Sequence, residues 1–273
     1  MTSIYTVIPD IYSYVQKEGW QNEIQAHYRV RLGKAQGKSR LRLSRLGPTC
    51  PRAFWYSIHS PELAELLPPW AEIKYSYGHL VEELAIQLTK ATGHEVTGEQ
   101  DELDVDGVLG HRDCVVDGCL VDIKSMSTRG IQKLKDKTLA QDDPFGYLDQ
   151  LDGYSLGSLH DPLVRVKDRA YLIAIDKTLG HMVLYEHEAR HENVRRRIEV
   201  LKRIASLLSP PICECGTRIE GSSGNVGLDV KASYSPYKYQ CFPHLRTFLY
   251  ADGPKYLTKV VREPNVTELR RAQ

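Results

Sequence analysis

Between Val105 and Met126 apolar and polar side chains alternate in two short runs, and Asp117-Gly118 separates them. This dipeptide suits a type I′ turn, and a two-residue turn of that kind fixes the pairing of the strands on either side of it. The expected ladder sets Val116 against Cys119, Val115 against Leu120, Cys114 against Val121, and Asp113 against Asp122. A period of two then sorts the side chains by face. Cys114, Val116, Cys119, Val121 and Ile123 form an apolar face suited to a core, while Asp113, Asp122 and Lys124 share the other.

Two carboxylates directly opposite one another are unfavourable unless solvent or a cation separates their charge. Mg²⁺ suits such a pair, because it takes hard oxygen ligands, binds through one or two carboxylates and retains waters. Lys124 would add a compact positive group beside a phosphate, Glu82 or Glu83 could complete the ligand shell, and the backbone carbonyl of Ile123 lies between the two polar residues. The same alternation also fits a surface hairpin whose outer face reads Asp, Asp, Lys.

The rest of the chain gives this hairpin a scaffold. Its 273 residues can bury a sizeable core, and 36 Lys and Arg against 35 Asp and Glu exclude a uniformly basic coat while leaving room for a divided surface. No apolar run approaches the roughly 20 residues that cross a bilayer, and Met1 to Asp10 lacks the pattern of a signal peptide, so a cytoplasmic location is expected. Residues 1 to 46 read as a helix plus an irregular approach, with a basic stretch from Arg29 to Arg45. After Pro68 and Pro69, Leu80, Val81, Leu84, Ala85 and Leu88 recur at helical spacing up to Gly93. A strand pair is expected over Arg169 to Asp176 and His181 to Tyr185, then an amphipathic helix through Val194, Ile198 and Leu201 that ends at Pro210-Pro211, and a strand over Arg246 to Tyr250. Mixed elements of this kind predict an α/β or α+β domain with a partly separate C-terminal lobe.

The run Gly110-His111-Arg112-Asp113 followed by Asp122-Ile123-Lys124-Ser125 resembles the D…(D/E)xK core of the PD-(D/E)XK nuclease superfamily. Gln150-Leu151-Asp152-Gly153-Tyr154 resembles the QxxxY motif of its RecB-like branch, and Gly78-His79-Leu80-Val81-Glu82 is similar to the histidine and G-x-x-x-E signals of RecB-like and phage lambda-type exonucleases. Leu43-Ser44, Cys50-Pro51-Arg52, Trp55-Tyr56 and Phe145-Gly146-Tyr147 extend the likeness, which is strongest from 75 to 155, toward small nucleases of tailed phages. The resemblance implies a restriction-endonuclease-like α/β core, with a central mixed β-sheet flanked by helices and additions at both ends. Segments 1–60, 61–209 and 210–273 would be an N-terminal helical and irregular part, the nuclease core, and a C-terminal lobe packing on it.

It also implies roles. Asp113, Asp122 and the Ile123 carbonyl would bind Mg²⁺ or Mn²⁺, with Glu82 as a further ligand or water-orienting group. His79 would bind a second metal or a phosphate, and Lys124 would be catalytic. Gln150 and Tyr154, four apart on a helix, would share a face toward the DNA backbone or cleft, and Arg52, Lys133 and Lys135 are candidates for phosphate contacts. The activity expected is that of a deoxyribonuclease, an exonuclease rather than an endonuclease, acting on linear DNA with a free end in phage DNA degradation, replication or recombination, with or without assembly into an oligomer. A catalytically silent DNA-binding or recombination partner is an alternative from another class.

Six cysteines, at 50, 114, 119, 213, 215 and 241, are too scattered for a disulfide framework. RecB-like nucleases with an iron–sulfur cluster use one early Cys and a late C-x-x-C-x-x-x-x-x-C group. Cys50 and Cys241 match its outer positions, Ala232 and Ser235 stand at two of the others, and Cys213 and Cys215 could take their place. A zinc site from Cys213, Cys215, Cys241 and His244 is chemically allowed, as are plain buried thiols. Finally, His187-Glu188-Ala189-Arg190-His191 matches H-E-x-x-H, the pattern of a zinc metallopeptidase if it lies on one helix.

Overall fold

Asp117 and Gly118 both adopt positive φ, 50° and 76°, so the turn between their strands is of the primed type that the dipeptide favours. The same chemistry occurs once more upstream: Asp106 and Gly107, at φ 53° and 79°, join a separate small hairpin. The alternating stretch therefore belongs to two hairpins, where the sequence pattern suggests one.

The computed structural model describes residues 3–17, 41–66 and 69–269. Arg29 to Arg40, most of the basic stretch, lie outside the described residues. In chain order the main helices are α1 (Val7–Val15), α2 (Pro51–His59), α3 (Pro69–Ala91), α4 (Thr128–Lys135), α5 (Tyr147–Gly157) and α6 (His191–Ala205). The strands of the first compact unit are β1 (Val96–Thr97), β2 (Glu102–Val105), β3 (Val108–His111), β4 (Cys114–Val116), β5 (Cys119–Met126), β6 (Arg169–Asp176) and β7 (Met182–Glu188).

That unit comprises Met1–Gly47 and Leu67–Arg197. Its central sheet runs β1-β4-β5-β6-β7 and is mixed: β5 and β6 are parallel, from Val121 beside Tyr171 to Met126 beside Asp176, and the other pairs are antiparallel. A parallel pair needs a long crossover, supplied here by the stretch carrying α4 and α5. On one face Cys114, Val116, Cys119, Val121 and Ile123 pack with Ile173 of β6, Ala85 and Ile86 of α3, and Val7 and Ile11 of α1. Burial of one such aliphatic side chain contributes about 1.5–3 kcal/mol. The opposite face is covered too, since α5 packs against β5 and β6 and Val115, Leu120 and Leu172 are fully buried. A central mixed sheet flanked by helices is the α/β core expected from the sequence.

The second unit comprises Pro48–Leu66 and Ile198–Gln273, so the division falls within α6. It holds α2 and an antiparallel sheet ordered β12-β10-β11-β9-β8, made of β8 (Thr217–Glu220), β9 (Asn225–Leu228), β10 (Arg246–Tyr250), β11 (Gly253–Lys259) and β12 (Glu268–Leu269). Among the described residues no helix is long and apolar enough to cross a membrane.

Candidate active site

The β4–β5 ladder pairs Val116 with Cys119, Val115 with Leu120 and Cys114 with Val121, and then it breaks. Arg112, which would face Ile123 at the next hydrogen-bonded step, donates its N–H to the Asp101 carbonyl at 3.2 Å instead. Asp113 Oδ2 takes the place left on β5 and accepts the Ile123 N–H at 2.6 Å. In a strand the N–H and C=O of one residue face the same edge, so the Ile123 carbonyl is directed to the side where Asp113 stands.

Asp122 is fully buried. Lys124 Nζ lies 2.8 Å from its Oδ1, in hydrogen-bonding geometry, and 2.7 Å from its Oδ2. The contact to Oδ2 is an ion pair without that geometry, leaving a buried carboxylate oxygen with no hydrogen bond. Glu82, on α3, faces the same group and accepts a hydrogen bond from Gln100 Nε2 at 2.6 Å. Burial, followed by the Asp113 charge, pushes Glu82 up to about 8. Burial also lifts Asp122 to about 7, against the pull of Lys124 and with a further push from Asp113. Burial disfavours the Lys124 ammonium, yet Asp122 and Asp113 outweigh it and hold Lys124 above its ordinary value.

On α5 the Gln150 Nε2 donates to the Tyr154 hydroxyl at 2.7 Å, as their i, i+4 spacing allows. Tyr154 is buried, and burial, with the Asp122 charge next, raises its phenol well above the ordinary range. The helix brings this hydroxyl to the acidic group rather than to open surface. Gly110 permits the approach, because a Cβ there would stand 2.8 Å from Leu43 Cβ and 3.0 Å from the Tyr154 ring.

These donors fit a hard divalent cation. They are carboxylate oxygens, one of them buried without a hydrogen bond, and burial, with the Asp113 charge beside it, holds two of the carboxylates above their ordinary range despite Lys124. Among the described residues, the group whose ligand atoms all lie within 4.8 Å of one another is a cysteine group, not this acidic set.

Other expected residues fall in varied places. His79 is exposed on α3, one turn before Glu82. Lys133 is tied to Asp142, 2.6 Å from its carboxylate, and Lys135 is exposed on α4. Arg52, in the second unit, donates to the Pro211 carbonyl at 2.7 Å. Sequence reasoning missed Gln100, which fixes Glu82, and the structural role of Arg112. That guanidinium is buried, contacts Asp101 at 2.6 Å and Asp161 at 2.5 Å, and bonds the Gly98 carbonyl at 3.1 Å, so it anchors the chain beside Asp113. No periodicity marks either residue.

The H-E-x-x-H reading fails. His187 and Glu188 end strand β7, and His191 begins α6, so the two histidines do not share a helix face. His187 bonds Asp152 at 2.7 Å and His191 bonds Ser155 at 2.9 Å, which gives each a structural partner. A peptidase using His187, Glu188 and His191 is therefore ruled out by the secondary structure.

In the second unit Cys50, Cys213, Cys215 and Cys241 converge into a group able to coordinate a metal. His244 is not part of it, so the alternative set of three cysteines with His244 is corrected to four cysteines.

No protein-family description matches the chain, and no curated protein does. Among solved structures it is similar to SSO0001, with 12% identity, a TM-score of 0.41, and 81% of this chain and 93% of that one covered. It is also similar to LHK-Exo, an alkaline exonuclease from Laribacter hongkongensis, with 14% identity, a TM-score of 0.39, and 67% and 90% covered. The same exonuclease in complex with dAMP gives 14% identity, a TM-score of 0.38, and 61% and 86% covered.

Proposed function

We propose that this chain is a divalent-metal-dependent deoxyribonuclease that hydrolyses backbone phosphodiesters, and an exonuclease rather than an endonuclease. The observation that carries the reading is the interrupted ladder, which directs Asp113 and the Ile123 carbonyl to one edge beside a buried Asp122 and its Lys124. The preference for DNA ends rests on the motif order from Gly78 to Tyr154 and its resemblance to RecB-like and lambda-type exonucleases.

Asp113, Asp122 and the Ile123 carbonyl would hold Mg²⁺ or Mn²⁺, with Glu82 as a further ligand. Such an ion, when bound, lowers the pKa of a coordinated water and offsets charge on a phosphate. Lys124 keeps its proton, and on the same strand face as Asp122 its ammonium would stabilise the negative charge that develops on phosphate oxygens. Glu82, held by Gln100, would orient the attacking water. Tyr154, fixed by Gln150, would present its hydroxyl to the same group. Backbone contacts of this kind position the substrate without reading its sequence.

The test is incubation of linear and circular, single- and double-stranded DNA with Mg²⁺ or Mn²⁺. Degradation of linear DNA that stops on chelation is expected, with closed circles spared. Salt-sensitive DNA binding without turnover in every combination would favour the silent DNA-binding reading instead.

A further inference from the structure

The four-cysteine group of the second unit is assembled from three distant parts of the chain. Cys50 is the residue before α2, Cys213 and Cys215 lie on an irregular stretch that follows Pro210-Pro211, and Cys241 closes a short helix, Lys238–Cys241. Cys50 Sγ stands 3.9 Å from both Cys213 Sγ and Cys241 Sγ, and all four sulfurs lie within 4.8 Å of one another. Four thiolates at about 2.3 Å from one zinc stand about 3.8 Å apart at the corners of a tetrahedron. A multi-iron cluster puts each cysteine on a different iron with sulfide between them, and so needs a wider opening.

The surroundings match a closed thiolate site. The Glu214 N–H donates to Cys50 Sγ at 3.3 Å and the Cys215 N–H to Cys213 Sγ at 3.5 Å. Donors of this kind stabilise negative sulfur and orient ligands around a metal. Ala53, Tyr237, Tyr56 and Phe242 pack around the group and shield it. No disulfide joins any of the four.

We propose that Cys50, Cys213, Cys215 and Cys241 bind a single tetrahedral Zn²⁺ as a structural centre, in place of the iron–sulfur cluster that the sequence resemblance implies. Four ligands leave no open position, so the ion serves folding rather than chemistry. It closes loops of 163 and 191 residues from Cys50.

The experiment is metal and acid-labile sulfide analysis of the full chain, purified anaerobically after growth with both zinc and iron supplied. One zinc per chain, no sulfide and a colourless protein are expected. Titrating the wild type with an organomercurial should release that zinc as its thiols react, which needs no variant to fold. Cys213→Ser should lower zinc content while Cys119→Ser, altering a thiol of the first unit, should leave it unchanged. Replacing zinc by cobalt should give the intense visible bands of tetrahedral thiolate-bound Co²⁺. Iron as the bound metal, stoichiometric sulfide, or a folded protein that carries no metal would overturn the proposal.

Discussion

At the residue scale the cost of burying Asp122 governs the site. Asp122 and Glu82 keep protons up to about 7 and 8, whereas in an unfolded chain such groups titrate near pH 4. Between pH 4 and 8 the folded state therefore binds more protons than the unfolded state, and these groups make stability fall as pH rises through that window. The melting temperature at low salt should drop from pH 5 to pH 8 and recover on adding Mn²⁺ at pH 8; Asp122→Asn should flatten both responses. A profile unaffected by metal would contradict the assignment of these groups. At pH 8, where Asp122 is ionised, Lys124→Ala should cost about 3–5 kcal/mol, more than Asp122→Asn, because it leaves a buried carboxylate without its ammonium. Urea denaturation of the two variants measures the difference. Alternation in the sequence put Asp122 and Lys124 on one strand face, whereas the ladder expected to set Asp113 opposite Asp122 stops at Cys114 and Val121, and Asp113 binds the Ile123 N–H instead. Gln100 and Arg112 were not legible, since each acts from a point where regular pairing has stopped.

Among the elements, the Asp117-Gly118 turn has the largest leverage on the site. Gly118 sits at φ 76°, and a Cβ there would also approach the Arg165 side chain at 2.4 Å. Gly118→Ala should cost about 1–2 kcal/mol and reduce metal affinity if the strained turn disturbs the register; denaturant midpoints and Mn²⁺ titration read the two effects. On α5, Tyr154→Phe removes the acceptor of the Gln150 hydrogen bond. It should lower the cleavage rate with little loss of stability, and a loss of stability with an unchanged rate would show the pair to be a packing contact. The helices and strands of the core were readable because their apolar periods are long. The H-E-x-x-H match misled for a local reason: β7 continues to Glu188, past the expected end at Tyr185, and takes the first histidine out of any helix. The hairpin on Asp106-Gly107 carried the same dipeptide signal as its neighbour and was merged with it.

For the whole molecule, the nearly cancelling 36 and 35 charges conceal how the acidic residues are used. Several of them hold structural partners, as with Asp101 and Asp161 on the buried Arg112, and the buried Asp152 on His187 and Arg190. Composition cannot show this, and the sequence left Cys50 with Cys213, Cys215 and Cys241, sulfurs up to 191 residues away, as one of two candidate ligand sets. The short signals along the chain fall in one unit, with Glu82, Asp113, Asp122, Lys124 and Tyr154 all in the first. The most direct measurement is single-turnover degradation of linear duplex DNA at saturating Mg²⁺ by the wild type and by Lys124→Met, with circular dichroism establishing that both are folded. A fall of about 100- to 1000-fold in the variant is predicted, from loss of one charge aimed at the phosphate. An unchanged rate in the folded variant, or a wild type that cleaves no DNA, would contradict the account.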